Sequence, residues 1–212
     1  MRQNFDACFA ELLRHEGGLV NDKRDPGGLT NMGISQRSYP KENIRGMTRA
    51  RAAVIYRRDF WDAVKGDDLP AGLDLVAFDA AVNSGASRSA KWLQAALGAS
   101  QDGKIGPVTV AKAKAADPAT AIARACDARM AFLRRLATWD AFGRGWTRRV
   151  DAVRTAALAM VDPPRPEPKP IPRPVPKPAP PAPAIRTGPP GITVAGLIFG
   201  AAVAAFAFIK WG

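Results

Sequence analysis

Hydrophobic residues recur at helical spacing from the start of the chain. Phe5, Cys8, Phe9, Leu12 and Leu13 fall three or four positions apart, which predicts a helix with one apolar stripe. Gly17-Gly18 ends it, since a glycine past the last turn takes the left-handed conformation without a Cβ penalty. The pattern thus delivers Glu16 at the helix's C-terminal end. Thr48 can cap a second helix running through Val54, Ile55 and Phe60, because its hydroxyl satisfies a backbone N–H of the first turn. Residues 73–82 form a third, with Leu75, Phe78 and Val82 inward. Between the first two, Asp25-Pro26-Gly27-Gly28 is a turn sequence, and residues 30–39 are the best segment for a short hairpin. Further on come a helix over 90–97, a glycine-proline turn over 103–107, a long helix opened by Asp117-Pro118 and a final helix from Trp146 to about Met160. No internal repeat is visible. The fold class is mainly α: two helical lobes, residues 1–88 and 89–162, with a small β-hairpin region.

The tail departs from this alternation. Residues 163–190 hold 14 prolines in 28 positions, and proline's fixed φ and missing N–H forbid helix and sheet and favour extended polyproline II. This Pro-rich linker reaches about 85 Å if fully extended at about 3.1 Å per residue. Beyond it, residues 192–209 run without a charge, and as a helix they cover about 27 Å of a hydrocarbon core about 30 Å thick. Residues 191–212 therefore read as one transmembrane helix, with Lys210 and Trp211 at its interface. At the other end, Asp6 and Glu11 interrupt the apolar run, so the first residues read as domain and not as an export signal.

Charge narrows the partners. The formal net charge is +12, of which the tail from Pro163 supplies six basic residues against Glu167, leaving +7 on the rest. Such a balance favours anionic partners. No nucleic-acid motif accompanies it, which argues against nucleic acid as that partner. Cys8 and Cys126 lack metal or redox spacing and sit on apolar faces, so they read as buried free thiols. His15 is the only histidine; no metal site and no cofactor are expected.

The most specific segment is Glu16-Gly17-Gly18-Leu19-Val20-Asn21-Asp22-Lys23-Arg24-Asp25-Pro26-Gly27-Gly28-Leu29-Thr30-Asn31-Met32-Gly33-Ile34-Ser35. Tyr56-Arg57-Arg58-Asp59-Phe60-Trp61 and Phe78-Asp79-Ala80-Ala81-Val82-Asn83-Ser84-Gly85 follow, then Trp92-Leu93-Gln94-Ala95-Ala96-Leu97-Gly98 and Asp102-Gly103-Lys104-Ile105-Gly106-Pro107. The first three blocks resemble the signature of glycoside hydrolase family 108, and the last two resemble the peptidoglycan-binding module that usually follows it. The resemblance covers roughly residues 5–160. It departs at Leu19, where an aromatic is common, at Lys23 for proline and at Ser35 for threonine. It implies a lysozyme-like fold, peptidoglycan as partner, and an N-acetylmuramidase of the endolysin type that cleaves the β-1,4 bond between N-acetylmuramic acid and N-acetylglucosamine.

Cleaving a glycosidic bond needs a proton for the leaving oxygen and a second group to meet the oxocarbenium-like centre. Glu16 is the candidate acid. Asp25 is the candidate to activate water or stabilise charge, and Thr30 to orient the water or a sugar hydroxyl; Asp25 is also an ordinary turn-former and Thr30 an ordinary hairpin hydroxyl. Asp79 and Asn83 share a helical face. They either bind sugar hydroxyls or anchor the Glu16 loop. Trp139, Phe142 and Trp146 pack between helices or stack on sugars. A non-catalytic wall-binding protein is the competing reading. The expected location is the bacterial inner membrane, single-pass, acting on periplasmic peptidoglycan, although Arg173, Lys177 and Arg186 ahead of the span favour a cytoplasmic domain. Gly196 and Gly200 offer a helix–helix contact for self-association or a holin-like partner.

Overall fold

The computed structural model describes residues 4–21 and 28–161. Asp25, the Pro-rich linker and the expected span lie outside the described residues. The described residues belong to one compact unit and form seven α-helices and a two-stranded sheet: α1 (Phe5–Leu13), β1 (Thr30–Asn31), β2 (Ile34–Ser35), α2 (Arg49–Tyr56), α3 (Leu73–Ser84), α4 (Ala86–Ala96), α5 (Pro107–Ala115), α6 (Pro118–Leu133) and α7 (Trp139–Val161). None of these helices is long and apolar enough to cross a membrane.

Local chemistry explains most boundaries. The Thr48 side chain accepts from the Arg51 N–H at the start of α2, and Asp117 accepts from the Thr120 N–H at the start of α6, each satisfying a donor the helix leaves open. Pro118 occupies a first-turn position whose N–H would have no partner anyway. In β1–β2, Thr30 faces Ser35 and Asn31 faces Ile34, and the two-residue connection, Met32 at φ 47° and Gly33 at φ 74°, lies in the left-handed region at both positions, the turn whose twist matches that of the paired strands. Residues 30–39 hold the expected hairpin. It is extended by an antiparallel bridge between Val20 and Thr30.

Three elements depart from the periodicity. α4 begins at Ala86 instead of 90, and α7 at Trp139 instead of Trp146; the first turn of α4 lies largely at the surface, and in α7 the poor helix formers Gly143 and Gly145 interrupt the Trp139, Phe142 and Trp146 spacing. α5 was not foreseen, because its only buried residues are Thr109 and Ala113. Directly after α2, a π-helical turn covers Arg57–Trp61.

α3 is the centre of the fold. It packs against α1, α4, α6 and α7, and every residue from Leu73 to Ala81 is buried, the mark of a helix surrounded on all sides. Phe5, Phe9, Tyr56, Trp61 and Phe78 form an aromatic cluster, with ring centroids 5.4 Å apart for Phe5–Trp61, Trp61–Phe78 and Phe9–Tyr56. Fully burying each such side chain contributes about 1.5–3 kcal/mol. That cluster fixes α1, and therefore its C-terminal end, against α2 and α3. Cys8 and Cys126 are buried and free, and burial pushes the Cys126 thiol up to about 11.

Candidate active site

α1 ends in tight closing bonds, His15 N–H to Leu12 O at 3.0 Å and Glu16 N–H to Leu13 O at 3.3 Å. They set Glu16 at the helix end with its side chain 17% exposed. The carboxylate meets groups from distant parts of the chain. Arg149, on α7, donates from Nη2 to Glu16 Oε1 at 2.9 Å and from Nε to Asp79 Oδ1 at 2.9 Å. Arg129, on α6, donates to Asp79 Oδ2 at 2.5 Å. The cluster is a chain of alternating charge, Arg129–Asp79–Arg149–Glu16, that ends at the one partly exposed carboxylate.

Electrostatics hold it together. Asp79 is fully buried, and burial alone would raise its pKa; the charges of Arg129 and then Arg149 outweigh this and keep the carboxyl below its ordinary value. Burial likewise works against the Arg149 charge, which Asp79 and Glu16 more than offset. A charged arginine therefore faces Glu16, where helix-end reasoning alone supplied only a backbone environment.

The other side of Glu16 is covered by the hairpin turn. A Cβ on Gly33 would lie 2.5 Å from both Glu16 Oε2 and the Tyr56 hydroxyl. Tyr56 donates to Met32 O at 2.9 Å, and burial, with Glu16's charge adding to it, pushes its phenol well above the ordinary range. Tyr56 lies at the junction of α2 with the π-helical turn, a local irregularity frequent at functional sites. The contact at Gly33 yields a prediction. Gly33→Ala is expected to lose about 1–2 kcal/mol of stability, because its φ is left-handed. If the wall hydrolysis expected from the sequence depends on Glu16, the variant should also lose at least about tenfold of that activity, since small displacements of reacting groups are costly. Thermal melts and turbidity clearing check both; an unaltered rate would free the turn from any role in placing Glu16.

The remaining sequence candidates separate. Thr30 lies on β1, where its hydroxyl donates to Gly28 O at 3.2 Å and its backbone exchanges bonds of 2.8 and 2.9 Å with Val20. That bridge fixes both ends of the segment containing Asp25. Of the two roles left open for Asp79 and Asn83, the placement of Asp79 fits the anchor: it is buried, its oxygens are taken by two arginines, and one of these, Arg149, reaches Glu16. Asn83 is exposed at the end of α3, its amide donating to Asp79 O at 3.1 Å. His15 is 20% exposed and lies 3.7 Å from Glu11, one turn earlier. Gln94 is buried and holds the 102–104 turn through Asp102 Oδ1 at 2.6 Å and Lys104 O at 3.0 Å, which gives that motif a structural purpose. Trp139 and Phe142 each pack, tilted, against Trp146 along α7, with ring centroids 6.2 and 5.8 Å from it, and Phe142 is 56% exposed.

Arg129, Arg149 and Tyr56 were not singled out from sequence. The available signal was Asp79 itself: a carboxylate amid the apolar residues of α3 demands a buried cation from a facing helix. Nothing local says which of the many arginines supplies it.

Residues 9–85 match the protein-family model described as Glycosyl hydrolase 108, and residues 88–151 match one described as Predicted Peptidoglycan domain. Among solved structures, "Structure of Brucella abortus SagA" is similar, with 40% sequence identity, 76% of this chain and 97% of that chain covered, and a TM-score of 0.69. No curated protein sequence matches.

Proposed function

Since this chain belongs to the glycosyl hydrolase 108 family and is a peptidoglycan hydrolase, a glycoside hydrolase of the N-acetylmuramidase type, we propose that Glu16 is its general acid. The observation that supports this is the placement of Glu16, partly exposed at the end of α1, with Arg149 on one oxygen and the Gly33 turn over the other. In this reading Glu16 gives its proton to the glycosidic oxygen as the bond to the muramic acid C1 breaks. Arg149 fixes the carboxyl's orientation through Oε1. Asp25 meets the oxocarbenium-like centre or activates the water that attacks it, and Thr30 helps orient that water.

The finer biological reading is an endolysin tethered to the inner membrane by residues 191–212 through the Pro-rich linker, acting on periplasmic peptidoglycan and released through a holin-like partner or self-association. Its support is the composition of the tail. Mass spectrometry of muropeptides from walls digested by the full-length protein tests the chemistry, with products ending in reducing N-acetylmuramic acid expected. Asp25→Asn should slow their release by more than about tenfold. Walls bound but uncut would instead indicate a wall-anchoring protein, and an unchanged Asp25→Asn rate would return Asp25 to a turn role.

A further inference from the structure

Behind the Arg129–Asp79 pair lies a cleft of about 220 Å3 between the end of α3, the start of α4, the C-terminal half of α6 and α7. Its lining combines polar residues, among them Asn83, Arg88 and Arg129, with the apolar Phe132, Leu133 and Trp146. Arg88 stacks on Phe132, its guanidinium carbon 4.6 Å from the ring centroid, and reaches only a backbone carbonyl, Ser84 O at 3.4 Å. No carboxylate among the described residues pairs with it. Arg129 is 5% exposed, and its Nε is buried without a hydrogen-bond partner.

Charge argues for an anion. Arg129 shares Asp79 with Arg149, so no carboxylate of that cluster is left over for the cleft. Arg88 adds a third cation at the cleft. The apolar part of the lining suits an anion that also bears aliphatic groups, and the volume of about 220 Å3 is below that of a full small-molecule site, which keeps those groups small. The cleft is joined to Glu16 through ion pairs of 2.5, 2.8 and 2.9 Å. Arg88, Arg129, Phe132, Leu133 and Trp146 all fall within the stretch matched by the peptidoglycan model.

We propose that this cleft binds a carboxylate of the peptide that peptidoglycan carries on its muramic acid, with Arg88 and Arg129 facing the carboxylate and Phe132, Leu133 and Trp146 facing its small aliphatic side chains. The proposal rests on the peptidoglycan-hydrolase reading and adds the peptide to the glycan as a recognised part of the substrate. It makes the enzyme selective for peptide-bearing strands.

Two measurements on the full-length protein test it. Calorimetry with muramyl dipeptide should show binding that weakens about tenfold, the worth of one charge-assisted contact, when the dipeptide's carboxyl is amidated or when Arg88 is changed to Gln. In hydrolysis, the kcat/KM ratio of peptide-bearing to peptide-stripped glycan should exceed one several-fold and fall towards one in Arg88→Gln, a surface change whose folding a melting curve verifies. Equal binding of acid and amide, or a ratio unmoved by Arg88→Gln, overturns the proposal. Failure to cut either glycan would instead count against the catalytic reading, and the calorimetry would still decide the subsite.

Discussion

Glu16→Gln is expected to abolish wall hydrolysis, a fall of at least about 100-fold, while the protein melts within a few degrees of the original. The amide has the same size and its oxygen still accepts the Arg149 hydrogen bond seen at 2.9 Å, so the end of α1 keeps its position. Arg149 also keeps Asp79 as its counter-charge, so no buried cation is stranded. On the role proposed for Glu16, what disappears is the proton that the leaving oxygen must receive. Turbidity clearing of purified walls, read beside a thermal melt, separates the two effects. A folded Glu16→Gln protein with near-normal turnover would remove Glu16 from the mechanism.

The second large effect falls on stability. Asp79→Asn leaves Arg129 and Arg149 in the interior without the carboxylate they share, and stranding buried charge in this way costs about 3–5 kcal/mol. Urea unfolding should show that loss, and hydrolysis should drop with it as Arg149 ceases to be fixed toward Glu16. The same group sets an acid limit. The folded Asp79 carboxyl lies below its ordinary value, since its two arginines outweigh burial, so its contribution is full above the unfolded pKa of about 3.9. That contribution is lost as pH falls through the lower, folded value. Melting temperature plotted against pH should therefore decline on strong acidification, and more shallowly in Asp79→Asn. Unfolding free energies equal to the original protein's would show that the ion pairs add nothing net.

Much of this was visible along the chain. The stripe Phe5, Cys8, Phe9 and Leu12 is buried as its spacing required, Thr48 and Asp117 cap the helices they precede, and residues 30–39 turn back in a hairpin. Each is a local matter: a period, a cap or a turn depends on residues a few positions apart. The start of α4 and the whole of α5 were less legible, since helices resting mostly on solvent need no apolar period, and the start of α7 was masked by Gly143 and Gly145.

The site shows the same division more sharply. Sequence determined that a carboxylate would stand at the end of α1, because helix termination is a property of adjacent residues. Gly17 and Gly18 nevertheless do not take the left-handed conformation expected of them, and the helix closes at Leu13. Only the tertiary structure decided what surrounds it: Arg149 reaches Glu16 across 133 positions, and Arg129 reaches Asp79 across 50. A buried carboxylate dictates that cations must come to it, since the energy of an unpaired charge in the interior is prohibitive. Which arginines come is set by how α6 and α7 pack against α3, and that packing depends on the whole core at once.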